Sequence, residues 1–203
     1  MTKTEYRQEV VRLSAVLIIA VIVCVLEAWG AEQSGSLPLA LDAGHVFADL
    51  AGLVSSLAIA IILYRGRFSH EEEHRYYRRG ALINAYLLAL VVFVIWAGAL
   101  YRIWHPAVVA GQMVFWVGLA GLVGNLLQRW LLSRCPCAYH RGNRLHIDSD
   151  LQTSIAVIVT GPIIVFTGWW WFDSIASLAI GAWIARQTLL LLHDAKTGEP
   201  HRH

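Results

Sequence analysis

Residues 37–64 read LPLALDAGHVFADLAGLVSSLAIAIILY. Apart from Asp42, His45 and Asp49, the run is almost wholly apolar, and its length decides the fold. About 20 residues of helix, rising 1.5 Å each, cross the ~30 Å hydrocarbon core of a bilayer. A longer run tilts or projects beyond it. Only a helix satisfies its own backbone groups in lipid, because an isolated open strand does not.

Five further apolar runs flank this one, at about 13–30, 81–103, 112–132, 145–168 and 172–192. The composition agrees: 57% of the 203 residues are hydrophobic and 15% are charged, where a soluble domain carries about 25% charge. Mean hydropathy is +0.54. The expected fold is an all-α membrane protein of six transmembrane helices, forming a single domain over residues 1–203. Only a short polar tail follows the last run, so no C-terminal cytoplasmic domain is expected. Glu27 and the lack of a small-residue cleavage site argue that the first run is retained, not removed as a leader.

The basic residues give an orientation. Lys3, Arg7 and Arg12 precede the first run. Arg65, Arg67, Arg75, Arg78 and Arg79 lie between the second and third, and Arg129, Arg134, Arg141 and Arg144 between the fourth and fifth. Arg186, Lys196 and Arg202 lie toward the end. Only Arg102 falls on the opposite side, so the positive-inside rule predicts both termini in the cytoplasm. Trp29, Trp104 and Trp169–Trp171 mark the outer interface, and Trp130 an inner one, because indole favours the headgroup level. A net charge of +2 with no basic stripe gives no footprint for nucleic acid. The cysteines, Cys24, Cys135 and Cys137, are too few for a disulfide framework.

Charges at membrane depth cost about 2.5–3.5 kcal/mol each on insertion scales and so need a purpose. In the second run Asp42, His45 and Asp49 are spaced i, i+3, i+7 and share one helix face. His45 sits eight residues in from the outer end, about 12 Å deep at 1.5 Å per residue. The fifth run opens His146-Ile147-Asp148-Ser149-Asp150 and repeats the His-x-x-x-Asp spacing. The two runs cross in opposite directions. Side by side, they would bring His45 level with Asp150 and Asp49 level with His146. Two imidazoles and two carboxylates suit tetrahedral zinc, and the carboxylates neutralise a divalent ion. One such pair could merely lock two helices together; two matching pairs on separate spans favour a metal site.

These residues resemble the cation diffusion facilitator family of zinc transporters. LALDAGHVFADLAGL and HIDSDLQTSIAVIV carry the resemblance, with GLVGNLLQRWLL in the fourth run and GWWWFDSIASLAIGAWI leading into the sixth. It implies a homodimer that exchanges cytoplasmic metal for protons across the inner or plasma membrane. His45, Asp49, His146 and Asp150 fall on its transport-site positions. Asp42, Asn125, Ser154 and Asp173 fall on other motif positions, as supporting or path residues. Zinc is implied as the transported substrate, with cadmium, cobalt, nickel and manganese as further candidates; no cofactor is implied.

Two other groups could touch metal. His70 and His74, at i, i+4 in the loop after the second run, read either as a solvated charged segment or as a cytoplasmic capture site. Cys135, Cys137 and His140 offer soft ligands but not a full set. With so few convincing ligands, an enzyme such as a membrane di-iron oxidase is not expected. The rivals to proton-coupled efflux are a sensor or accessory subunit that binds metal without moving it, and an uncoupled uniporter.

Overall fold

The computed structural model describes residues 3–64, 70–133 and 140–197. They form six helices: α1 (Lys3–Ser34), α2 (Leu37–Tyr64), α3 (His70–Trp104), α4 (Gly111–Ser133), α5 (His140–Thr167) and α6 (Trp171–Thr197). Several extend well beyond the apolar runs that announce them, because a helix continues past the membrane wherever nothing stops it.

What stops them is local. Gly35, at φ 70°, ends α1 with its N–H on the Ala31 carbonyl (2.9 Å), and Gly168, at φ 68°, ends α5 with its N–H on Ile164 (2.9 Å). Both are single-bond left-handed caps, which glycine adopts without strain. Ser36 then caps α2, its hydroxyl oxygen accepting from the Leu39 N–H at 3.4 Å.

In the bundle, α1, α2, α5 and α4 form a ring in which each packs on the next, while α3 and α6 pair and lie against α2. The α4–α5 contact is close enough that a Cβ on Gly111 would meet the Gly161 carbonyl oxygen at 2.6 Å, and the reverse holds equally. Small residues that let backbones approach are how membrane helices associate.

The buried apolar residues fall into two clusters. One gathers Leu39, Leu41, Leu88, Val114, Val157 and Ile184; the other Leu13, Val16, Val23, Val46, Leu53 and Leu132. Large apolar side chains also face outward, among them Ile18, Ile22, Leu90, Phe93, Val159 and Phe166. Such an outer surface fits lipid. Among the described residues α1 to α5 each contain a stretch long and apolar enough to cross a bilayer. The end of the sixth run falls on a side chain outside the described residues, so the sixth expected span is not among these five. The chain is an all-helical, multi-pass membrane protein.

The three short connections meet at one end. Arg102 donates to the Gly35 carbonyl and lies 3.5 Å from Asp173 Oδ2. The Ser36 hydroxyl donates to Asp173 Oδ1 (2.8 Å), the Leu37 N–H donates to Asp173 Oδ2 (2.9 Å), and the Ala110 N–H reaches the Ser34 carbonyl (2.9 Å). Arg102, isolated in the charge pattern, is thus committed to holding the turns.

Candidate metal centre

The site is set by how α2 and α5 cross. Asp42 lies opposite Thr153 and Ser154, and His45 and Asp49 lie opposite Asp150. Numbers rise on one helix as they fall on the other, so the two helices are antiparallel. His45 Nε2 stands 3.4 Å from Asp150 Oδ1 and 3.5 Å from Asp49 Oδ2. One ligand atom from each residue lies within 4.8 Å of the others, and all three residues are buried.

Among the described residues Asp150 Oδ1 accepts no hydrogen bond and His45 Nδ1 has no partner. Buried polar atoms are normally satisfied. Here His45 Nε2 and the carboxylates of Asp49 and Asp150 converge at a point where a cation would satisfy the Asp150 oxygen. The donor set fits zinc or another divalent ion that accepts imidazole with oxygen.

His146 lies in α5 one turn before Asp150, and its side chain is outside the described residues. The same is true of the side chains of His70 and His74 in the first turns of α3 and of His140 at the start of α5, while Cys135 and Cys137 fall outside altogether.

Asp42 shares the face of His45 and Asp49 but has other business. The Thr153 hydroxyl donates to its Oδ1 (2.7 Å) and the Ser154 hydroxyl to its Oδ2 (3.0 Å). Ser154 accepts in turn from Asn125 Nδ2 (3.1 Å), and Asn125 Oδ1 from Gln128 Nε2 (3.0 Å). With both oxygens occupied, Asp42 is the terminus of a buried network joining α2, α5 and α4 beside the triad. Asp173, grouped with it in sequence, sits instead at the clamped end of the bundle.

Sequence reasoning missed three contributors. Asn84 on α3 donates to Asp49 Oδ1 at 2.8 Å and leaves Oδ2 facing His45. Thr153 and Gln128 complete the Asp42 network. Their only sequence signal is amide or hydroxyl in an apolar helix, which is weak.

Residues 13–197 match the family described as the cation efflux transmembrane domain. The chain belongs to the cation efflux, or cation diffusion facilitator, family. Relatives include the zinc transporter ZitB of Pectobacterium atrosepticum, 33% identical over 93% of this chain and 62% of the relative. The cadmium, cobalt and zinc/H(+)-K(+) antiporter of Bacillus subtilis is 31% identical over 84% of this chain and 57% of its own length. The metal cation efflux system protein CzcD of Cupriavidus metallidurans is 33% identical over 84% and 55% respectively. The cation efflux chain therefore spans about three-fifths of the length of these curated relatives. All three are named for metal transport or efflux, not for catalysis.

Proposed function

We propose that this cation efflux protein carries a divalent metal ion, zinc first among candidates, out of the cytoplasm in exchange for protons. The observation that carries the reading is the convergence of His45 Nε2, Asp49 and Asp150 within 4.8 Å of one another at a buried point between α2 and α5. His146, one turn along α5, is the proposed fourth ligand. Two carboxylates balance the charge of the ion, which removes most of the cost of holding it in a low-dielectric interior.

The chemistry follows from the ligand types. Zinc binds to deprotonated ligands, so its binding displaces protons and acid releases it. Imidazole titrates near working pH in ordinary settings, which makes His ligands suitable for that exchange. Binding from the cytoplasm, reorientation of the helices and release to protons outside give antiport at one site. The name of the Bacillus subtilis relative, an H(+)-K(+) antiporter for these metals, supports the coupling. The zinc transporter relatives support the choice of ion.

The basic-residue pattern and the bacterial relatives support six crossings with both termini in the cytoplasm of a cell inner or plasma membrane. A homodimer belongs to the same proposal and rests on the family resemblance.

Purified protein in lipid vesicles loaded with a zinc-sensitive dye tests the reading. Zinc flux that rises with an opposing pH gradient, and is lost in His45→Ala and Asp150→Ala, is expected. Flux retained in either variant would remove the site. Flux indifferent to the pH gradient would remove the antiport and leave a uniporter. Zinc binding with no flux would leave a sensor.

A further inference from the structure

Glu27, on α1, lies inside the ring of α1, α2, α5 and α4 with none of its surface exposed. Among the described residues neither carboxyl oxygen has a hydrogen-bond partner. From α4 the contact is Gly121, where a Cβ would come within 2.0 Å of Glu27 Oε1. The carboxyl therefore rests in a notch that exists because residue 121 has no side chain. The charged neighbours facing it are Asp42 on α2 and Asp150 on α5, both acidic, and neither bonds to it. Cys24, one turn earlier on α1, has its thiol 3.6 Å from the Ala43 carbonyl.

Glu27 is outside the group of converging ligand atoms. It also differs from Asp42, whose two oxygens each receive a hydroxyl hydrogen. An ionised carboxyl with no donor and no positive partner at this depth costs several kcal/mol, whereas the neutral acid avoids most of that cost. Among the described residues the ring buries four acidic side chains, Glu27, Asp42, Asp49 and Asp150, and a divalent ion balances only two of them.

We propose that Glu27 is a proton-binding site separate from the metal ligands, losing its proton when an ion occupies the His45–Asp49–Asp150 site and regaining it when the ion leaves. On binding, the O–H bond of the acid breaks and the proton passes to water in the open pathway; on release the reverse occurs. The ion supplies the coupling, since its positive charge offsets the acidic field of Asp42 and Asp150 around Glu27. This deepens the antiport reading and rests on it, because it assigns one exchanged proton to a named side chain.

Infrared difference spectra of the protein in lipid vesicles, with and without zinc, test it apart from transport. Wild type should show the carbonyl stretch of a protonated carboxylic acid that diminishes on zinc addition, and that component should be missing in Glu27→Gln. Identical spectra in the two proteins overturn the proposal. Should Glu27→Gln fail to fold, Gly121→Ala pushes the carboxyl from its notch and should shift the same band; an unshifted band overturns it equally. In flux assays Glu27→Gln, an imitation of the neutral acid, should still pass zinc down its own gradient while losing part of the acceleration by a pH gradient. A full pH response would return proton exchange to the metal ligands alone, and loss of zinc binding would make Glu27 a ligand; either result overturns the proposal. Wild-type protein that moves no zinc sinks the transport reading, and the spectra still decide Glu27.

Discussion

His45 Nε2 on α2 stands 3.4 Å from Asp150 Oδ1 on α5, and this distance joins two distant stretches of sequence into one site. Removing either side should abolish tight zinc binding. His45→Ala and Asp150→Asn are expected to weaken zinc affinity by more than the roughly 10–100-fold typical of changes outside the ligand set. Competitive titration against a zinc chelator in detergent measures this, and a loss below tenfold would show that the residue is no ligand.

Asn84 should behave differently. It touches Asp49 and not the triad's centre, so Asn84→Ala should lower zinc affinity by about 10–100-fold without removing binding. Asn84→Asp should do worse, because it sets a third carboxylate against Asp49. The same titration reports both, and an unchanged affinity in Asn84→Ala would reduce Asn84 to packing.

The triad was readable from sequence for a simple reason. A histidine or aspartate in an apolar run violates the solvent it will occupy, and the i, i+4 spacing says which neighbours share its face. Opposed crossing directions predict His45 level with Asp150, where the structure places them; the companion pairing of Asp49 with His146 falls on a side chain outside the described residues. Asn84, Thr153 and Gln128 gave no such signal, since a neutral polar side chain is cheap enough in a helix to have many uses. Glu27 was visible as a charge but its setting was not, because the notch belongs to Gly121 on another helix. For Asp173 the motif position leaves a supporting and a path role open, and only contacts reveal that it binds Ser36 and the N-terminus of α2. Nor did any helix pattern say that α3 pairs with α6.

The clamp around Asp173 should therefore matter for folding more than for ion binding. Asp173→Ala removes the acceptor of Ser36 and Leu37 and the partner of Arg102. Leaving buried donors unsatisfied should cost about 1–3 kcal/mol. A lower unfolding midpoint in detergent with zinc affinity unchanged is the expected result; an affinity loss matching that of His45→Ala would place Asp173 on the ion path.

Glycine substitutions separate contact from propensity. Gly161→Ala drives a methyl against the Gly111 carbonyl and the Phe115 N–H, both backbone, and should destabilise by about 1–3 kcal/mol. Gly52→Ala, on α2 with nothing within 4 Å of the added carbon, should be neutral or stabilising by up to about 1 kcal/mol. Thermal unfolding of both variants checks the pair, and equal midpoints would deny the close α4–α5 approach.

That approach also bears on how the ion could be let go. The Gly111–Gly161 contact locks α5 to α4, while the Asp173 clamp fastens α2 to α3 and α6. The proposed ligands are divided along the α2–α5 seam, which the hydrogen bonds from Thr153 and Ser154 to Asp42 also cross: His45 and Asp49 ride on α2, Asp150 on α5. Sliding along the seam leaves the His45–Asp49 spacing untouched, because one helix carries both, and changes the His45–Asp150 distance at once. On the proposed transport reading, the site would gauge helix displacement, gripping or loosening its ion as the distances from Asp150 to His45 and Asp49 change together.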